Sequence, residues 1–482
     1  MSRFRHLLMG LAIALICIVF APPALAFCGF YVAKADASLY NEASQVAIAR
    51  EGDRTVLTMA NDYQGEVSDF ALVVPVPTVI TESQVNVAEG TIMERLDAFS
   101  APRLVEYFDP DPCIPPFGYI EDRASILRLQ GSAAAPVDQA YRSSDAALGV
   151  TVESRFTAGE YDILILSAIE SDGLETWLRQ NDYQIPEGAS EVLGAYIRQG
   201  MKFFVASVNL EEFDQSGYQR LRPLQIAYES PRFMLPIRLG MVNAQGAQDL
   251  VVYLMTPSGQ VEVTNYRTVD IPSDQEIPVF IKDEFGDFYT EMFEKSYTDQ
   301  SRNVAFLEYA WDMRGCDPCA ADPLTAGEMR QAGVFWLPEN ADRNNTNVYI
   351  TRLHVRYTRD KFPEDLMFQE TANRRFFQGR YVMNHPFTAG QNCVARYIEQ
   401  YPQEADTIRE FYRDPEVRES VADVYRQYVA ETLPQRFERE SQNLSRLTGR
   451  DIDDIRHRIS EEVPQPSPAF WRLRYPIRHD PA

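Results

Sequence analysis

Residues 45–59 read QVAIAREGDRTVLTM, and this stretch decides the fold class. Two alternating runs rich in β-branched residues flank a turn containing Gly52, the pattern of a β-hairpin. Downstream, Phe70–Ile80 (FALVVPVPTVI) is apolar throughout and reads as a buried strand. Pro75 and Pro77 cannot donate ladder hydrogen bonds, so they confine that strand to an edge or a bulge. Further strands are expected at Val150–Phe156 and Tyr161–Ser167 around Gly159, and at Phe203–Val208, Phe233–Leu239, Leu250–Met255 and Val261–Tyr266. The last two are joined by a turn at Pro257-Ser258-Gly259. Helices interrupt this series. Thr91 to Glu94 form a capping box ahead of Ile92, Leu96 and Phe99. Ser171 or Asp172 caps a helix carrying Leu174, Trp177 and Leu178, and a second helix covers Ala189–Arg198.

Beyond residue 278 the pattern changes. Residues 279–311 are aromatic and helix-like, Thr325–Ala332 reads as a short helix, and Asn347–Thr358 (NVYITRLHVRYT) alternates as a strand. His354 falls opposite Leu353 and Val355, which predicts a solvent-facing side chain. Near residue 400 helices take over. Asp414-Pro415-Glu416 supplies a cap, an N1 proline and a first-turn acid. Val417, Val421, Val424, Tyr425 and Tyr428 form one apolar face, which Pro434 breaks or kinks. Thr448-Gly449 ends the helix, and Asp451 opens a last one with Ile452, Ile455 and Ile459. The fold class is α+β: a strand-rich, mostly antiparallel body with a helical C-terminal portion. The expected segments are a leader (1–26), a strand-rich domain (27–278), a mixed segment (279–399), a helical region (400–462) and a Pro-rich tail (463–482). The loops 109–118 (DPDPCIPPFG) and 131–147 lie between elements.

The chain has 482 residues, 45 % hydrophobic, 12 % aromatic and 24 % charged, which are globular values. Its 46 basic and 70 acidic side chains leave a net charge of −24. That balance argues against nucleic acid and against an anionic membrane surface, both of which need clustered Lys and Arg. Arg3 and Arg5, the apolar run Leu7–Phe20 and the small-x-small site Ala24-Leu25-Ala26 read as a cleaved secretory signal peptide. The mature chain is expected to start near Phe27, to carry no transmembrane span and to reside in the periplasm or outside the cell.

Five cysteines remain after the leader: Cys28, Cys113, Cys316, Cys319 and Cys393. In an oxidising compartment they are disulfide or redox candidates, with at least one left over. Cys316-Asp317-Pro318-Cys319 has CxxC spacing, but Pro323 would break a helix starting there, which disfavours a thioredoxin-like arrangement. A zinc site from Cys316, Cys319, Cys393 and His385 has long, unspecific spacing. Asp109 with Asp111, and Asp451 with Asp453 and Asp454, lack the EF-hand pattern and read as solvated charges or caps. His385, in a loop before Pro386, is the best catalytic histidine by position. No GxSxG, HExxH, P-loop or dinucleotide fingerprint is present. The sequence assigns no catalytic residue, no metal ligand and no cofactor.

FCGFYVAKAD (27–36), NDYQGEVSDFALVVPVP (61–77), LDAFSAPRLVEYF (96–108), WDMRGCDPC (311–319) and TRLHVRYT (351–358) resemble a family of exported bacterial proteins catalogued as domain of unknown function 2330. The resemblance covers roughly residues 27–400. It implies export and places Cys28, Cys113, Cys316 and Cys319 in family motifs, but it brings no reaction, cofactor or catalytic residue. The expectation is a non-catalytic envelope protein that binds or scaffolds a partner or ligand. The alternatives are a thiol–disulfide redox protein using Cys316 and Cys319 and, third, a carboxylate-based metal-dependent hydrolase.

Overall fold

The hairpin forms where the sequence predicts it. Ser44–Glu51 pairs antiparallel with Arg54–Ala60 around Gly52, whose φ of +58° suits a residue without a Cβ. The computed structural model describes residues 30–31, 40–41, 44–60, 63–64, 71–110, 149–181, 183, 188–216, 221–242, 246–315, 317, 322–342, 345–388 and 393–464. The loops at 111–118 and 131–147, the leader and the tail beyond residue 464 lie outside them. The chain divides into two units. The first draws on Met1–Pro102, Val137–Ile271 and Asp299–Gln378; the second on Arg103–Pro136, Pro272–Thr298 and Gly379–Ala482.

In the first unit the hairpin joins a nine-stranded sheet. Its order is Arg267–Asp270, Val304–Asp312, Tyr349–Tyr357, Gln248–Thr256, Ser44–Glu51, Arg54–Ala60, Leu224–Glu229 and Val85–Val87, with Phe377–Gln378 also on Val304–Asp312. Most neighbours are antiparallel; Gln248–Thr256 on Ser44–Glu51 and Arg267–Asp270 on Val304–Asp312 are parallel. A five-stranded sheet follows the order Phe30–Tyr31, Ala71–Val76, Lys202–Val208, Tyr161–Ala168, Val150–Ala158. The sheets share one core, in which Leu57, Leu224, Val252 and Leu353 of the first meet Leu72, Ile163 and Phe204 of the second. Period-2 alternation leaves each sheet a second apolar face. Helix Thr91–Ser100 covers Ala47, Val56 and Met255 of the large sheet with Ile92, Leu96 and Phe99. Helices Ser171–Gln180 and Ala189–Arg198 cover Val73 and Phe203 of the small one with Leu174, Trp177 and Leu193. The layers therefore run helix, sheet, sheet, helix.

Several local expectations need correction. Val304–Asp312 is a strand, not part of a helix-like run; it is buried on both faces, so its sequence shows no alternation to read. Around Phe233–Leu239 only Met234–Leu235 is strand, because Pro236 follows with no N–H to pair. Thr91 and Ser171 are the first residues inside their helices, not caps; the residues before them, Gly90 and Glu170, give no side-chain cap either. Capping boxes do form elsewhere, as at Thr325 with Glu328, opening Ala326–Gln331. Pro75 lies opposite Phe203 on one side, while on the other Phe30–Tyr31 reaches only Leu72 and Val73. The proline end of this strand is thus an edge locally, although the strand has two neighbours.

The second unit holds a three-stranded parallel sheet, Gln275–Glu276, Arg380–His385 and Arg103–Phe108, with Tyr381 packed on Phe288 of helix Phe285–Asp299. Its C-terminal part is helical. Asp414 accepts from the Glu416 N–H at 2.8 Å and starts Pro415–Gln427, and Gly449, at φ +82°, ends Leu433–Thr448. Val421 and Tyr425 are buried with Tyr397, Ile408 and Tyr412, but Val424 is exposed. Pro434 lacks the N–H that the carbonyl of Ala430 needs. The chain answers with a π-helical turn, Tyr428–Thr432, instead of a break. Asp451 caps Ile452–Glu462 through the N–H groups of Asp453 and Asp454, at 2.9 and 3.1 Å, so this acidic run is a helix start. Among the described residues no helix is long and apolar enough to cross a membrane.

Candidate functional site

The TRLHVRYT strand carries Leu353 and Val355 into the apolar core, which turns Arg352, His354 and Arg356 together onto the opposite face. Acids from three other elements meet them. Asp249 and Tyr253 stand on the neighbouring strand, opposite Arg356 and Arg352. On the other neighbour a β-bulge falls between Leu307 and Tyr309, and the extra residue is Glu308. The bulge aims that carboxylate at two cations at once. Glu308 Oε2 accepts from Arg352 Nε at 2.6 Å, and Oε1 lies 2.8 Å from His354 Nδ1. His354 Nε2 is 3.1 Å from Asp249, which Arg356 grips with two hydrogen bonds of 2.8 and 2.7 Å. Asp97 of helix Thr91–Ser100 accepts from Arg352 at 2.7 Å and from the Tyr253 hydroxyl at 3.0 Å.

Three cations and three anions thus alternate in one ladder. Burial opposes the charge on His354, but Glu308 and Asp249 outweigh it and push the imidazole up to about 9. Burial likewise opposes the charge on Asp249, yet His354 and Arg356 hold it down at about 2. At neutral pH both ring nitrogens of His354 donate, so the ring has no lone pair with which to act as a base. The solvent-facing expectation for His354 is therefore overturned: its side chain is only 14 % exposed and carries a partner on each nitrogen. The strand's alternation signalled three cations on one face. The acids that complete the ladder come from distant segments and gave no local signal.

The WDMRGCDPC segment is anchored by its acids. Asp312 accepts from Arg314 and Arg374, each at 2.7 Å, and these bonds overcome burial to hold it near 2. Asp317 is buried and accepts from the Tyr309 hydroxyl at 3.0 Å and the Gln378 amide at 2.7 Å. Cys28, Cys113, Cys316 and Cys319 lie outside the described residues. Cys393 opens helix Cys393–Gln400, and its side chain lies outside them too. In the second unit His385 stacks on Phe108 at 4.6 Å, with Nε2 2.7 Å from Glu106. Glu106 also receives Lys282, and these two bonds lower its carboxyl below the usual range. Asp109 is bound by Tyr428 and Arg436.

Among the described residues of the first unit, concavities include a larger and a smaller one. The larger, about 320 Å³, is a groove on the large sheet between Ser83–Asn86 and the segment after helix Ala326–Gln331. Asn86 and Gln225 line it from adjacent strands, and the fully buried Thr58 backs Gln225. Asn86 donates to Gln225 at 3.2 Å, and Gln225 donates to Thr58 at 2.8 Å and to the Gln331 carbonyl at 3.1 Å. Val334, Phe335 and Leu337 form an apolar wall. Gly333 closes that wall on Val56; a Cβ there would sit 2.7 Å from a Val56 methyl, at a φ of +99°. The smaller cavity, about 150 Å³, lies at the proline end of Ala71–Val76.

A sequence profile described as "Uncharacterized protein conserved in bacteria (DUF2330)" matches residues 22–369. The chain is a member of the DUF2330 family. The matched span of this DUF2330 protein includes the whole ladder and both concavities. Most of the second unit's helical part, from Cys393 onward, lies beyond it. No curated protein and no solved structure matches the chain.

Proposed function

We propose that this DUF2330 protein is an exported, non-catalytic binding protein of the bacterial cell envelope, and that its ligand lies in the groove lined by Asn86 and Gln225. The groove carries this reading. It combines the bonded amides of Asn86 and Gln225 with an apolar wall and with Arg330, whose guanidinium donates to the Pro338 carbonyl, the composition of a ligand cleft for a hydrogen-bonding molecule. Two further observations support it. The histidines best placed for chemistry are committed elsewhere: His354 is held as a cation between two carboxylates, and His385 is bonded to Glu106. Asp317, between the two cysteines in sequence, spends its carboxylate on Tyr309 and Gln378, a structural use of the one described residue of the CxxC motif. Export rests on the n-region, apolar run and cleavage site of residues 1–26.

Hydrogen–deuterium exchange of the purified protein, alone and with solubilised envelope fractions, tests the groove. Protection centred on 83–86, 225–227 and 330–337, lost in Asn86→Trp, is the expected result; no protection from any fraction overturns binding there. Fractionation with N-terminal sequencing tests export, which predicts a product starting near Phe27. An uncut chain in the cytosol refutes it. Thiol trapping at graded potentials tests the redox alternative, which needs Cys316 and Cys319 to reduce before the other cysteines.

A further inference from the structure

The smaller cavity has a different chemistry from the groove. It sits where Val76, paired with Lys202, ends one strand and the Leu224–Glu229 strand ends beside it. Its walls are Pro75, Pro77, Met201, Tyr228, Met234 and Pro236. A void of about 150 Å³ lined this way is the size that takes one six-membered ring. The mouth is polar and carries one cation. Arg232 donates through Nη1 to the Gln199 side-chain oxygen at 3.0 Å, and its backbone N–H donates to Ser230 Oγ at 3.1 Å. A neutral amide therefore orients this guanidinium. Among the described residues no carboxylate pairs with it, in a chain whose acids outnumber its bases 70 to 46.

The mouth is also rigid. The Ser230 N–H donates to the Asp53 carbonyl at 2.8 Å, and its own carbonyl accepts from Arg50 at 2.9 Å. The Arg50 guanidinium lies 5.0 Å over the ring of Phe233, which follows Arg232. A cation held in advance at the rim of an apolar slot costs little ordering when an anion arrives.

We propose that this cavity is a binding site for a small aromatic carboxylate, its ring among the prolines and methionines and its carboxylate on Arg232. Prolines suit the walls because they add apolar surface without an N–H to satisfy. A guanidinium offers two parallel donors to a carboxylate, a geometry that a carboxamide cannot match.

Calorimetry and saturation-transfer NMR with phenylacetate, and with phenylacetamide as its neutral isostere, test this on the full chain. Phenylacetate is expected to bind at least tenfold more tightly than the amide. Arg232→Gln is expected to remove that difference, and Met234→Trp to abolish both by filling the slot. Arg232 is exposed and Met234 half-buried, so both variants are expected to keep the parent's thermal unfolding, which is measured alongside. No binding at millimolar phenylacetate, equal affinity for acid and amide, or unchanged preference in Arg232→Gln each overturns the site. Asn86→Trp, which blocks the groove, is expected to leave phenylacetate binding intact.

Discussion

Glu308 reaches His354 only because a β-bulge inserts it between Leu307, which faces the apolar core, and Tyr309, which faces Arg352. Its two oxygens serve different cations, His354 at 2.8 Å and Arg352 at 2.6 Å. Removing the charge leaves both cations short of a partner in a buried place. Glu308→Gln is expected to cost about 3 kcal/mol in denaturant unfolding. Asp97→Asn, whose carboxylate is 41 % exposed, is expected to cost about 1 kcal/mol or less. Equal costs would mean that the bulged carboxylate is not the centre of the ladder.

His354 gives the first unit a pH dependence of definite sign. Its folded value of about 9 lies above the ordinary 6.5, so the folded state holds this proton more tightly than the unfolded chain does. The resulting stability is complete below pH 6.5 and is lost as pH rises through 9. The full effect is about 3 kcal/mol. Unfolding free energies measured from pH 6 to 10 on the wild type and His354→Gln check this: the wild type loses stability over that window, and the variant follows a flatter line.

The second unit responds to a lower window. Glu440 is buried on helix Leu433–Thr448, 3.4 Å from Arg436, yet neither Glu440 Oε1 nor Arg436 Nε makes a hydrogen bond there. The ion-pair distance and the titration point in opposite directions, and burial decides between them. Arg436 is already balanced by Asp109, and with Glu276 also nearby, burial pushes Glu440 up to about 8. The carboxyl is therefore neutral in the fold at pH 7 and ionised in the unfolded chain. Stability is greatest below 4.5 and declines until pH passes 8, by an amount on the order of 5 kcal/mol. Glu440→Gln is expected to flatten that decline. Hydrogen exchange in the 433–448 helix reads it; an identical pH slope in the variant refutes the assignment.

What could be read in advance depended on how local the deciding interactions are. The 45–59 hairpin and the Asp414-Pro415-Glu416 helix start are fixed by neighbouring residues, and both form as their sequences predict. The Val304–Asp312 strand is not legible in the sequence, because burial on both faces erases the period-2 signal. The ladder, where the sequence predicts only a solvent-facing His354, is illegible for a different reason. Asp97 and Arg352 are 255 positions apart, and Glu308 and His354 are 46 apart with a bulge between them in register. Three cations on one strand face were visible, but nothing local showed that carboxylates would close over them. The groove lining has the same origin: Asn86 and Gln225, with Thr58 behind Gln225, become neighbours only through strand order.

Gly259 offers a test of the turn at Pro257-Ser258-Gly259. The sequence predicts that this turn joins two strands, and it does so without pairing them: Gln248–Thr256 stays in the large sheet, while Val261–Val263 pairs with Leu366–Glu370. The chain makes this transfer by pressing its backbone against the segment after that partner strand. The Gln260 N–H donates to the Asn373 carbonyl at 2.7 Å, and the Thr371 N–H donates to the Gln260 carbonyl at 3.0 Å. A Cβ on Gly259 would lie 2.3 Å from the Asn373 oxygen and 2.8 Å from that of Thr371. Both atoms are backbone, so neither can swing aside as a flexible side chain would. Gly259→Ala is therefore expected to cost about 2–3 kcal/mol through forced backbone displacement. Gly286→Ala, in a helix where an added Cβ meets nothing within 4 Å, is expected to be neutral or stabilising by up to about 1 kcal/mol. Thermal unfolding of the two variants side by side decides whether close approach at Gly259, and not the loss of a glycine as such, sets the geometry of this crossing.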